Sequence, residues 1–454
     1  MDNSHELGNA KVGLLIKKYY WPAFVSVIVS SLYNIVDRIF IGQGVGAEAL
    51  SGLSIIFPIM LIMMAFGMLF GVGTGVMVSI SLGEKNGEKA ERTLANGLSL
   101  MLLVSIFVSI LTLLIKDPLL RVFGASDETI GYAHDYLMII LPFVIFQVVG
   151  FSLNNVIRAE GNARVAMYSM LISAGANIVL DPIFIFGFGM GVKGAAWATV
   201  ISMMLMCVWV VLHFVQKRSV VHLHFKYMRL EWSIIKGIVA IGMAPFAMQL
   251  AASVVHGLFN TQLVKYGNDI AVAANGILMS VMSLIFMCVV AVNMAAQPII
   301  GYNFGAKQYD RVKQTLFNSI KIASLIAFAG FLIVQIFPGV IVKMFNSTDD
   351  TLYDIGVRGI RMAMATSAFA GFQIVVGNYF QSTGKAKLAM LLSLLRQVIV
   401  LTPLLVVFPM FFGLDGVWLS MPVADFTSAI IVFLFFRKEM VKLNELIDSR
   451  EKLL

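Results

Sequence analysis

Asn177-Ile178-Val179-Leu180-Asp181-Pro182 sets a carboxylate, a carboxamide four residues before it and a proline inside one long apolar run. An aspartate at the centre of a membrane helix costs about 2.5–3.5 kcal/mol on insertion scales. A carboxylate in such a place requires a partner or a purpose. A second one, Asp37, lies in another apolar run. Around them, 59% of the 454 residues are hydrophobic and 13% are charged, with a mean hydropathy of +0.88. Soluble domains carry about 25% charged residues. The charge that would solvate a soluble surface is missing, so most of this surface must face lipid. The net charge of +8 reflects lysine and arginine gathered in loops on one side of a membrane, and does not call for nucleic acid. Cys207 and Cys288 both sit in apolar runs and imply no disulfide frame. The first apolar run follows Lys11, Lys17 and Lys18, lacks a small-residue cleavage site and is too long for a signal sequence.

Working outward, twelve apolar runs are long enough to cross a hydrocarbon layer ~30 Å thick. They cover about 15–41, 50–80, 94–115, 132–156, 165–187, 192–215, 236–263, 272–301, 315–338, 353–380, 387–408 and 413–436. Backbone polar groups must be satisfied within lipid, so each run is expected to be helical. The longest connection, 216–235, carries Lys217, Arg218, His222, His224, Lys226 and Arg229 and divides the spans six and six. With the N-terminus inside, the inner segments hold 23 Lys and Arg and the outer ones 5. That bias puts both termini, and the linker, in the cytoplasm.

The two halves repeat. Gly83-Glu84-Lys85 and Thr93-Leu94-Ala95-Asn96 match Gly305-Ala306-Lys307 and Thr315-Leu316-Phe317-Asn318 at an offset of 222. At the same offset Arg121-Val122-Phe123 matches Lys343-Met344-Phe345, Asp127-Glu128-Thr129 matches Asp349-Asp350-Thr351, and Gly191 and Gly194 match Gly413 and Gly416. At 223, Pro22 matches Pro245 and Gly161-Asn162-Ala163-Arg164 matches Gly384-Lys385-Ala386-Lys387. Six spans is an even number, so the halves share one orientation. The expected fold is an all-α polytopic membrane protein, with twelve transmembrane helices in two parallel-repeat six-helix lobes and a cavity between them. The lobes are 1–215 and 236–436, followed by a cytoplasmic tail at 437–454.

Asp37 lies five residues before Gly42, at the outer end of span 1, and Asp181 six before Gly187, at the outer end of span 5. Both are therefore about 8–9 Å below the outer surface. Asn177 shares a helix face with Asp181. Thr199, on the inward-running span 6, lies about 12 Å down. These are hard oxygen ligands suited to a small cation. Two close carboxylates repel unless a cation or a proton stands between them, so Na+ and H+ remain alternatives. The opposing reading is that both aspartates only bond neighbouring helices. Within its spans the second half has acids only at Asp354 and Asp425, apart from Asp415 at the start of span 12, so the ion is expected in the first half. His256, Asn260, Gln373 and Arg396 are the candidate substrate-cavity residues there. His256 also reads as a hydrogen-bonded packing residue, and Arg396 either pairs with Asp425 or faces the cavity. His222 and His224 are weak metal evidence, and no metal beyond Na+ is expected. No paired intramembrane metal ligands and no nucleophile–base set point to an enzyme. The 28 methionines and 34 phenylalanines supply adaptable and cation-attracting side chains, although most must pack or face lipid.

The chain resembles a multidrug and toxic compound extrusion (MATE) transporter of the DinF/MepA-like branch. The residues that carry the resemblance are Pro22 with Ser31-Leu32-Tyr33-Asn34-Ile35-Val36-Asp37, Gly71-Val72-Gly73-Thr74-Gly75, Arg158-Ala159-Glu160-Gly161-Asn162-Ala163, the opening hexapeptide, and Gly191-Val192-Lys193-Gly194-Ala195-Ala196-Trp197-Ala198-Thr199. The resemblance implies a V-shaped pair of lobes and export of bulky amphiphilic or cationic drugs or toxic metabolites, driven by entry of Na+ or H+. It implies no cofactor beyond that ion and a monomer in a prokaryotic cytoplasmic membrane. It adds Tyr33, Tyr136 and Asn154 to the cation site, and Pro22 as the kink proline of span 1. Pro182 removes a backbone donor directly after Asp181. The alternative within the same superfamily is a lipid-linked saccharide flippase. That reading calls for a strongly basic cavity, and few basic residues lie in or near the spans.

Overall fold

The computed structural model describes residues 3–123, 129–216, 219–267, 269–345 and 350–451. Asp127, Glu128, Lys217, Arg218, Asp349 and Lys452, used above in the repeat or the charge count, lie outside the described residues. Among the described residues the chain is almost wholly helical and has no strand.

Nine helices cross singly: Val12–Gly44 (span 1), Gly52–Gly83 (span 2), Gly87–Leu114 (span 3), Ile130–Ala159 (span 4), Ala163–Gly187 (span 5), Val192–Val215 (span 6), Trp232–Tyr266 (span 7), Ile270–Gly305 (span 8) and Tyr309–Ile336 (span 9). Asp350–Ala363 and Ser367–Ser382, bent by 44°, make span 10. The last apolar run, Ala386–Arg450, has 65 residues, which at ~1.5 Å each is about 98 Å, some three bilayer cores. It breaks at Gly413, where φ is 58° and ψ −136°, and so supplies spans 11 and 12. The twelve expected crossings are thereby accounted for.

The repeat is written into the backbone. Spans 3 and 9 have 28 residues each, and both their ends are 222 apart. Among the described residues, the non-glycine residues with positive φ are Lys85 (57°) and Lys307 (56°), which share that offset, as do Gly191 (55°) and Gly413 (58°). Each lysine ends a helix. Asn86 N donates to Ser81 O at 3.0 Å and Gln308 N to Asn303 O at 2.8 Å, the six-to-one closure of a left-handed C-cap. Asn86 then caps span 3, its side chain accepting from Lys89 N at 3.0 Å.

Contacts divide the chain into two compact units, Met1–Ala10 with Trp21–Gln249, and Lys11–Tyr20 with Leu250–Leu454. Spans 1 and 7 each contribute to both. The first unit buries Ile56, Leu94, Leu141, Ile157 and Val200 in its core, and the second Phe259, Leu278, Leu405 and Trp418. Outward faces stay apolar, as at Leu103, Phe107 and Leu114, because lipid rather than water covers them.

The glycine-rich end of span 2 is a packing device with two faces. A Cβ on Gly71 would meet Ser152 Cα at 2.7 Å, and one on Gly75 would meet Asn155 O at 3.3 Å, both on span 4. Gly73 turns the other way, where a Cβ would stand 2.1 Å from Ile238 O. Small residues four apart let helices approach closely in a membrane. Span 4 is thereby brought against span 2 in the unit that holds the aspartates.

The connection after span 6 is bound along span 3. Asn96 Nδ2 donates to Tyr227 O (3.2 Å), Ser99 Oγ to Met228 O (2.9 Å), and Glu231 N to Asn96 Oδ1 (2.7 Å). Arg92 joins Glu231 at 2.9 Å.

Candidate cation site

Span 1 continues through Pro22, where Ser26 Oγ donates to the Pro22 carbonyl at 2.7 Å, and carries Asp37 near its C-terminal end. Span 5 carries Asn177 and Asp181 on one face and changes after Pro182. The missing N–H there is followed by a wider π-helical turn, Ile183–Gly187, of the kind often found at functional sites. The chain reverses through Gly189 (φ 65°) and Gly191 (φ 55°). Gly194 then lets span 6 run against span 5, since a Cβ there would stand 2.9 Å from the Phe184 carbonyl. That reversal brings Thr199 back beside Asn177.

The resulting cluster is tight. Asp181 and Asn177 are buried, at 0% and 2% exposure. The Asp37 and Asp181 carboxyls stand close enough to act directly on one another. Asn177 Nδ2 approaches Asp181 Oδ1 at 3.4 Å and Thr199 Oγ1 at 3.5 Å. Tyr136 Oη lies 3.5 Å from Thr199 Oγ1 and close enough to Asp37, Asp181 and Tyr33 for direct electrostatic interaction. Three buried acceptors, Asp37 Oδ1, Asp181 Oδ2 and Asn177 Oδ1, have no hydrogen-bond partner among the described residues. Native proteins rarely leave buried acceptors unmatched. Carboxylate, amide and hydroxyl oxygens are the donor set that a small hard cation takes. Arg38 acts on Asp37 through space but forms no ion pair with it among the described residues: its guanidinium lies over the Phe57 ring, 5.3 Å from the centroid.

Six of the seven expected cation-site residues, Tyr33, Asp37, Tyr136, Asn177, Asp181 and Thr199, come together. Asn154 does not. Its Nδ2 donates to Ser169 Oγ (2.6 Å) and Ala166 O (2.7 Å), and its Oδ1 accepts from Arg158, near the other end of span 4. Of the four candidate substrate residues, Gln373 is buried and donates to the Asp425 carbonyl at 2.8 Å, and Arg396 pairs with the Asp425 carboxylate. His256 and Asn260 occupy exposed positions on span 7, with Asn275 Nδ2 donating to Asn260 Oδ1 at 3.2 Å.

Two polar clusters escape a reading of the sequence. Fully buried Glu160 accepts from Ser219 Oγ, Asn162 Nδ2 (2.7 Å) and Val220 N (3.2 Å), with His213 Nε2 at 2.6 Å. Glu439 similarly joins Tyr379 (2.9 Å) and Lys385. Their members come from segments far apart in the chain, several of them in turns and connections, with no periodic spacing to announce them.

Known proteins place this geometry in a family. The MatE family model matches residues 22–183 and again 245–407, once in each half. Multidrug export protein MepA of Staphylococcus haemolyticus is 28% identical over 410 residues, covering 90% of each chain. MepA of Staphylococcus aureus is 28% identical over 436 residues, covering 94% of this chain and 95% of that one. Among solved structures, the MATE multidrug transporter DinF-BH is 38% identical, with a TM-score of 0.89 over 95% of this chain and 96% of that one. An outward-facing MATE family transporter of the MOP superfamily superposes with a TM-score of 0.90 at 25% identity, over 96% and 98% of the two chains. With its duplicated six-span halves and a match to the family model in each, the chain belongs to the MATE family of membrane transporters.

Proposed function

We propose that this transporter is a secondary active multidrug exporter, antiporting Na+ and/or H+ inward against bulky amphiphilic or cationic compounds outward by alternating access. The curated relatives are multidrug export proteins aligned over nine-tenths of the chain. The observation that carries the coupling is the set of unmatched buried oxygens on Asp37, Asn177 and Asp181. A cation or proton between the carboxyls relieves their repulsion and ties span 1 to span 5. Its release frees the two helices. One charge moving inward through 100 mV yields about 2.3 kcal/mol, enough for roughly a 50-fold gradient of a neutral drug. The positive-inside bias puts both termini in the cytoplasm.

A flippase for lipid-linked saccharides gains no support. Arg358 and Arg396 are both paired with aspartates, Asp415 and Asp425, which offsets the positive charge a pyrophosphate would need.

The deciding experiment is efflux of a fluorescent amphiphilic cation from proteoliposomes, with Na+ and pH gradients varied independently. Acceleration by an inward gradient of either ion supports antiport and names the ion. Efflux indifferent to both gradients and to voltage overturns it.

A further inference from the structure

The cation site does not end at Asn177. Span 5 carries Asp181, Asn177, Ser173 and Ser169 at intervals of four, which sets all four along one i±4 ridge that winds gradually round the helix. The row runs about 18 Å from the carboxylates toward the cytoplasmic end. Ser169 is fully buried and Ser173 half-buried. Span 4 faces the same seam. Its Asn154 bonds Ser169 Oγ at 2.6 Å. Gln147, seven residues away on the same face of span 4, has a buried Oε1 with no partner among the described residues. At the inner end of the row stands Arg158, 7% exposed, bonded to Asn154 Oδ1. No carboxylate pairs with it among the described residues. Glu160, two residues on, is already committed to His213, Ser219, Asn162 and Val220. A buried guanidinium without an acid is costly. The C-terminal carbonyls of span 4 offset part of that cost, but the bare charge faces the seam.

Resting on the cation-site reading above, we propose that this polar row is the cytoplasmic release route of the coupling cation, and that Arg158 is the electrostatic barrier that keeps it closed. Acceptors spaced one turn apart replace hydration water step by step, while a fixed positive charge at the exit repels a cation, as in selective pores. With the guanidinium in place, the ion cannot slip through without the conformational change that moves drug. Arg158 is therefore a positioning residue for coupling rather than a ligand of the ion.

The test uses the full chain in proteoliposomes, reading 22Na+ uptake and acidification at clamped voltage, with and without drug. Asp181→Asn comes first. Drug-coupled cation flux that survives it overturns the site reading itself, separately from the route. With that flux abolished, Arg158→Gln is expected to raise drug-free cation entry on the order of thirtyfold, the Boltzmann factor for unit charges ~8 Å apart at an effective dielectric of ~20. Arg158→Lys stays tight, and adding Asp181→Asn to Arg158→Gln removes the leak. Drug-free entry at the native level in a folded Arg158→Gln protein overturns the proposal, as does a leak that survives Asp181→Asn. Should Arg158→Gln fail to fold, Ser173→Leu plugs the row in the native background. Coupled flux then falls at least tenfold with drug binding intact. Unchanged flux overturns the route.

Discussion

Replacing Asp181 with Asn keeps the volume of the side chain and one oxygen, and removes one of two carboxyls that stand close together inside the first unit. Two effects of opposite sign follow. At ~4 Å and an effective dielectric of ~20, a carboxylate and a monovalent cation attract by about 4 kcal/mol, so the loss corresponds to roughly a thousandfold in cation affinity. Without a cation, the same change removes a like-charge repulsion of comparable ceiling and the burial of a charge. The ion-free variant is therefore more stable than the ion-free native protein. Thermal unfolding in detergent separates these effects. At a hundred times its dissociation constant, a cation stabilises the native protein by about 2.7 kcal/mol. Asp181→Asn starts higher and shows no such rise, whether the cation is Na+ or, on lowering pH, H+. A variant that starts lower than the native protein and keeps its full cation-dependent rise refutes the carboxyl pair as the site.

Arg396→Ala strands the buried Asp425 carboxylate, 3% exposed, and is expected to destabilise by about 3–5 kcal/mol; Arg396→Gln with Asp425→Asn loses much less, and monodisperse yield after heating distinguishes them. Lys307→Gly relieves a left-handed residue at φ 56°. Strain of roughly 1–2 kcal/mol, less the entropy of glycine at roughly 0.5–1, predicts a gain of about 0.5–1 kcal/mol in unfolding measurements. Gly71→Ala pushes a methyl to 2.7 Å from Ser152 Cα. Backbone must move there, so about 1–3 kcal/mol of stability is lost, read as a lowered unfolding midpoint beside a neutral Gly131→Ala control, whose added methyl meets nothing within 4 Å.

Span number and the duplication were legible because hydropathy and repeated loop chemistry are local signals. Lys85 and Lys307 repeat in sequence and then repeat in φ. The pairing of Asp37 with Asp181 was legible from depth alone, since each lies a few residues from a helix-ending glycine. Asn154 entered the site by resemblance alone, although counting along span 4 puts it near the far end of that helix. It lies there, about three turns from the carboxylates, with Ser169 as its partner. The docking of the linker was not legible for a different reason. What holds it is largely its backbone, through Tyr227 O, Met228 O and Glu231 N against Asn96 and Ser99. Backbone acceptors leave no trace in composition.

The asymmetry between the halves has a physical consequence. Carrying the repeat through, Asp37 corresponds to Asn260 and Asp181 to Pro403, so the second half has an amide in place of one acid and a proline in place of the other. It gains Arg396, within the π-helical segment Leu395–Leu401, joined to Asp425 on span 12. The second unit thus holds spans 11 and 12 together with a cation of its own, which cannot leave. The first unit holds spans 1 and 5 with carboxyls whose free oxygens await one. Removing Na+ and raising pH should therefore loosen only the first. Hydrogen exchange in nanodiscs is expected to speed up around Asp37, Asp181 and Thr199 on ion removal, and to stay constant around Arg396 and Asp425. Equal acceleration in both halves would mean that the ion acts on the whole transporter rather than through the site in the first unit.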